Sequence, residues 1–126
     1  MPLYIAIFLG GCVGAIARYS VSLWIENLHR FPYETLSVNL LGCFILTYFV
    51  SHPFLSSKLS RPIKVGLGTG LIGSFTTFST FATETIDLWM NQEQLLSLLY
   101  VLTSIVGGLL FSWLGFKTGS KGEHAS

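Results

Sequence analysis

Long stretches with almost no charge alternate along this chain with short polar connections. A helix that crosses a bilayer needs about 20 mainly apolar residues, and four stretches meet that demand. From about Leu3 to Ile25 the only charge is Arg18. Thr35 to Ser57, Val65 to Thr83 and Gln94 to Phe116 carry none. The pattern predicts helices over about 3–25, 33–51, 63–86 and 95–117. It places them in one all-α, four-helix integral membrane domain, residues 1–126, and leaves a Gly/Ser-rich tail, 118–126, as disordered.

Composition agrees with lipid as the solvent. Charged residues make up 10% of the 126, against roughly 25% in soluble domains. Hydrophobic residues make up 51%, more than so small a soluble fold can cover with so few charges. The few basic residues are dispersed, so no phosphate-binding face is present. No Lys or Arg precedes Arg18, so the first stretch lacks the basic start of a signal peptide and reads as a retained helix. Cys12 and Cys43 lie in apolar runs without metal or redox spacing and read as buried free thiols. His29, His52 and His124 fall in connections or the tail, so no catalytic constellation exists and the chain reads as no enzyme.

Flanking Lys and Arg set orientation. The side that holds both termini and the middle connection carries Lys58, Arg61, Lys64, Lys117 and Lys121; the other carries Arg30 and, at most, Arg18. This excess predicts that both termini face the cytoplasm.

Small residues recur four apart: Gly10 and Gly14, Gly66 and Gly70, and Ser104, Gly108 and Ser112. That spacing lets helices approach closely in lipid. The third stretch is the most unusual. GLGTGLIGSFTTFSTFATE, Gly66 to Glu84, has four glycines, then the hydroxyls of Ser74, Thr76, Thr77, Ser79 and Thr80, with Phe75, Phe78 and Phe81 three apart on one face. Glycine weakens a helix by about 1 kcal/mol relative to alanine, and the hydroxyls compete for backbone groups. An interruption near Gly73 to Thr77 is expected, a candidate ion site made of backbone atoms. The competing reading is an unbroken helix whose hydroxyls bond back to the preceding turn. Elsewhere Asn39, one turn after Thr35, must find a partner at depth, as interhelical glue or as part of a pathway. Tyr100 and Ser104 share a face of the last helix. Arg18 is placed to snorkel, and Glu84 to face a vestibule.

Three motifs, GGCVGAIARY at Gly10 to Tyr19, VNLLG at Val38 to Gly42 and GSFTTFSTF at Gly73 to Phe81, resemble in order and spacing the hallmarks of the CrcB/Fluc family of fluoride channels. The resemblance covers essentially the whole chain. It implies antiparallel dimers of four-helix subunits with two fluoride pathways. It implies that backbone carbonyls of Gly73 and Thr76 hold a structural sodium ion. Asn39, Phe78, Ser79, Thr80, Phe81, Tyr100 and Ser104 match the fluoride pathway, and Glu84 matches a vestibule acid of some relatives. Gly108 stands where some relatives carry a hydroxyl.

The function so implied is passive export of fluoride across the bacterial plasma (inner) membrane, which lowers its cytoplasmic concentration. The rivals are a small proton-coupled dual-topology exporter, which needs an intramembrane carboxylate, and a non-conducting scaffold. An antiparallel homodimer calls for nearly balanced flanking charge. The excess found here raises the alternative of pairing with a second, oppositely oriented homologous subunit.

Overall fold

Proline and the needs of the backbone divide this chain into helices. The computed structural model describes residues 2–25 and 31–121; His29, Arg30 and His124, named above, lie outside the described residues. Among the described residues every regular element is helical. Helix α1, Leu3–Trp24, begins behind the extended Pro2. Helix α2, Tyr33–Ser51, begins after Pro32 and stops at His52, whose extended backbone suits the residue before Pro53. His52 then caps the short α3, Pro53–Lys58, by accepting the Leu55 N–H at its ring Nδ1, 3.3 Å away. Helix α4, Arg61–Val65, again has proline in its first turn, where a missing N–H costs nothing.

From α4 the chain enters a wider π-helical stretch, Gly66–Ile72, and a single α-helical turn, α5, Gly73–Phe75. Thr76 then turns extended, with φ −85° and ψ 164°, before α6, Ser79–Met90, begins. The helical path is therefore left at Thr76 to Phe78. Gly73, where the expected interruption was to start, keeps helical angles, φ −62° and ψ −36°. Gln92, left-handed at φ 62°, reverses the chain into α7, Gln94–Ser120.

Helices α1, α2 and α7 are each long and apolar enough to cross a membrane. Helix α7 runs three residues past the end expected at 117, so residues 118–120 are helical rather than tail. The reason is packing: Gly119 lies on α2, where an added Cβ would come within 2.7 Å of the Tyr48 carbonyl.

Two close contacts organise the molecule. Helix α1 lies on the π-helical stretch and α5, and α2 lies along α7. In the first contact Gly10 faces Gly66 and Gly70, while Gly14 faces Leu71 and Ser74. A Cβ on Gly10 would strike the Gly66 carbonyl, and one on Gly70 would come within 2.7 Å of the Ile7 carbonyl. In the second, Gly115 and Gly119 make the closest backbone approaches; Gly108, expected at such a contact, has only ordinary contact with Cys43. The fully buried set is small, with Val38 and Tyr100 its largest members. Phe8, Ile16, Leu109 and many other apolar side chains are exposed, as a lipid-facing surface requires. Both cysteines are free, but Cys12 lies on the exposed face of α1 rather than buried, because the neighbouring Gly10 and Gly14 take the packed face.

Candidate functional site

The departure from helix at Thr76 forces a question of backbone accounting. Each N–H and C=O that leaves the helical ladder in an apolar environment needs another partner. Asn39 on α2 answers for Thr77. Its Oδ1 accepts the Thr77 N–H at 2.8 Å, and its Nδ2 donates to the Thr77 carbonyl at 2.9 Å. The side-chain amide so pairs with the peptide as a neighbouring strand would. Thr77 in turn accepts the Thr80 N–H at its Oγ1, 3.2 Å away, in the first turn of α6.

The other hydroxyls behave differently. Ser74 and Thr76 donate back to the carbonyls of Leu71 and Ile72, at 3.1 and 3.0 Å. Back-bonding thus runs up to Thr76, and backbone N–H groups go to side chains at Thr77 and Thr80. Gly42 makes the approach of α2 possible, since a Cβ there would collide with the Thr76 methyl.

Around this point lies a cavity of about 360 Å³. Asn39, Thr76, Phe78, Phe81 and Ser104 line it, together with Thr77 and apolar residues of α2 and α7. Phe78 is 79% exposed. Its ring lies 5.9 Å from that of Phe81, which lies 5.0 Å from Tyr100. Phe31 meets Tyr100 edge-on at 5.5 Å and in turn lies 4.9 Å from the Tyr33 ring. Tyr100 is fully buried, and its hydroxyl has no hydrogen-bond partner among the described residues.

The remaining expected residues spread outward. Gly73 is exposed, and an added Cβ there would meet nothing closer than 4.0 Å. Ser79 is exposed and Thr80 half-buried at the start of α6; neither lines the cavity. Glu84 accepts a 2.5 Å hydrogen bond from Thr35, one turn before Asn39, and borders a separate cavity of about 520 Å³ with Asp87 and Glu93. Arg18 lines a third, of about 230 Å³, beside Glu34. The structure therefore joins Asn39, Thr76, Phe78, Phe81 and Ser104, continues them through rings to Tyr100, and sets Arg18 and Glu84 apart.

Thr77, Thr35 and Phe31 were not singled out as candidate pathway residues, Thr77 being named only as one of the hydroxyls and as the end of the expected interruption. Thr77 was visible as a hydroxyl but not distinguishable from Thr76. Thr35 had its spacing from Asn39 as a signal. Phe31 sits in a connection and had none.

A family model described as CrcB-like protein, Camphor Resistance (CrcB), matches residues 5–116. The chain is 44% identical over 119 residues to a protein of Bacillus cereus (strain ATCC 10987 / NRS 248) named fluoride-specific ion channel FluC 1, a match covering 93% of this chain and 87% of that one. It is 44% identical over 108 residues to the protein of that name from Desulfitobacterium hafniense (strain Y51), covering 86% and 95%. It is 42% identical over 121 residues to fluoride-specific ion channel FluC 2 of Listeria innocua serovar 6a (strain ATCC BAA-680 / CLIP 11262), covering 94% and 90%.

Proposed function

This chain belongs to the CrcB family, and on that premise we propose that it is a subunit of a fluoride-specific channel that exports fluoride passively. The observation that carries the reading is the cavity at the interruption. Three separate elements bring an amide, a hydroxyl and two phenylalanine rings to it: Asn39, Ser104, Phe78 and Phe81.

Fluoride is small and strongly hydrated, so a path must replace its water with donors. A side-chain amide has two N–H bonds, and Asn39 gives one to Thr77, which leaves one for an anion. Ring edges carry partial positive charge. They compensate dehydration without a full cation that would hold the ion too tightly to release it. Phe78, Phe81 and Tyr100 extend such a path, and the unpaired Tyr100 hydroxyl is a further donor on it. Ser79 and Thr80 flank the path, and Arg18 and Glu84 belong to its vestibules.

The segment Arg61–Met90 acts as a fourth, interrupted crossing, long enough at about 1.5 Å per residue. The structural sodium ion assigned to Gly73 and Thr76 fits the local chemistry. In a continuous helix those two carbonyls accept from the N–H groups of Thr77 and Thr80, and here both N–H groups go to side chains instead. Hard cations take such oxygens. Bound there, the ion would hold together carbonyl oxygens that carry partial negative charge, and it would not be transported.

The subunit works in an antiparallel dimer in the bacterial plasma membrane, with two fluoride paths. Its partner is itself or a second homologous subunit, and the excess of basic charge on one side favours the second. Reporter fusions to the C-terminus decide this: one orientation is expected, and equal populations on both sides would return the homodimer.

The test of function uses the purified full chain in liposomes, alone and with the homologous subunit of its source organism if one exists. A fluoride electrode is expected to register efflux that chloride does not match, and Phe81→Ile is expected to abolish it while the fold survives. No efflux above empty vesicles under either condition would end the channel reading. Efflux driven by a proton gradient would favour the exporter, with Glu84 as its carboxylate.

A further inference from the structure

We infer that Asn39 and Thr77 are positioning residues that keep the carbonyls of Gly73 and Thr76 out of the helical ladder, and so make the cation site proposed above available. The inference rests on that reading of Gly73 and Thr76, but its argument is the pairing of backbone groups around them.

An α-helix pairs the N–H of each residue with the carbonyl four before it. The donor for Gly73 is Thr77, and the donor for Thr76 is Thr80. The Thr77 N–H is held by Asn39 at 2.8 Å, and the Thr80 N–H by the Thr77 hydroxyl at 3.2 Å. The bonds just outside persist: Thr76 N–H still reaches Ile72 at 3.0 Å, and Ala82 N–H reaches Phe78 at 2.9 Å. The diversion is local, and each of these two carbonyls loses its donor to one identified side chain.

Asn39 is suited to this because it returns what it takes. The amide that accepts the Thr77 N–H also satisfies the Thr77 carbonyl, so opening the ladder leaves both backbone groups of Thr77 paired. Gly42, three residues on along the same face of α2, lets the helix lie against Thr76 closely enough for the contact. The two adjacent threonines divide the work. The Thr76 hydroxyl bonds back to Ile72 and fastens the end of α5, whereas the Thr77 hydroxyl caps α6. A valine at 77 has the shape of threonine but no acceptor, so the Thr80 N–H is free to return to Thr76.

The readout is the sodium concentration that half-maximally raises the thermal unfolding midpoint of the purified full chain. Residues that orient a ligating shell typically affect metal affinity by about 10- to 100-fold, so Thr77→Val is expected to raise that concentration by about tenfold or more. Thr77→Ser keeps the hydroxyl and is expected to restore it. Asn39→Leu is expected to raise it, and Asn39→Asp, which still accepts the Thr77 N–H, to raise it less. Ser97→Ala removes a buried hydroxyl bonded elsewhere, to Thr85, and is expected to lower stability at every sodium concentration without moving the half-point. An unmoved half-point in Thr77→Val or, should that variant not fold, in Asn39→Leu overturns the inference while leaving the cation site standing. An unaltered chain that conducts fluoride but shows no sodium dependence overturns the site and the inference together.

Discussion

The segment from Arg61 to Met90 has two halves that treat their backbone in opposite ways. In the first, Gly66–Ile72, glycines bring the backbone against α1 until carbonyls and Cα atoms touch, and helical pairing continues in its wider π form. In the second, Thr76 to Phe78, pairing stops and an amide and a hydroxyl take over the N–H groups. Glycine therefore supplies proximity here and polar side chains supply the break. The difference follows from what each can offer. A glycine has no group to receive a displaced N–H, and in lipid a displaced N–H without a receiver costs several kcal/mol. Glycine's weak helix preference, about 1 kcal/mol, is too small to force that.

The sharpest way to break the comparison is Gly10→Val against Gly11→Val, adjacent residues of α1. A side chain at 10 would meet the Gly66 carbonyl and the Leu71 nitrogen, both backbone atoms that cannot swing aside. At 11 there is nothing within 4 Å. Overpacking costs about 1–3 kcal/mol and at times more. Gly10→Val is expected at or above the top of that range and to yield little folded protein; Gly11→Val should unfold near the temperature of the unaltered chain. Equal behaviour of the two in thermal unfolding would mean that the glycine contact does not organise the first half.

The same contrast explains what could be read from the chain beforehand. The long spans were legible because lipid demands about 20 apolar residues in a row, and the expected 33–51 lies against the observed Tyr33–Ser51. The glycine pairs of α1 and of the third stretch were legible as close-packing surfaces, though not as partners of each other. On α7 the stripe through Ser104, Gly108 and Ser112 was chosen over Gly115 and Gly119, which make the actual contact. Spacing of four identifies a stripe on a helix but not which stripe faces a neighbour. Asn39 was legible as a polar group in need of a partner. Its partner was not, because a peptide group becomes available only where the helix ends, and the neighbouring threonines look alike until the backbone separates their roles. Resemblance to a family supplied candidate residues that patterning could not single out, and five of these candidates line one cavity.

The finest discrimination comes from Gly68→Ala. Gly68 lies in the π-helical half, two residues from Gly66 and from Gly70, yet an added Cβ there meets nothing within 4 Å. No described glycine has positive φ, so alanine adopts this backbone without strain. If the position faces lipid, the exchange gains helix preference alone, about 0.5–1 kcal/mol, and raises the unfolding midpoint slightly. If a second subunit covers this face at the distance Gly66 keeps from α1, the methyl group collides and both the midpoint and the dimer fraction fall. A small rise is expected, since the packed side of this half is already taken by α1. A fall would place a partner's backbone against Gly68 and extend to the subunit interface the rule that separates the two halves, glycine for proximity and polar side chains for the break.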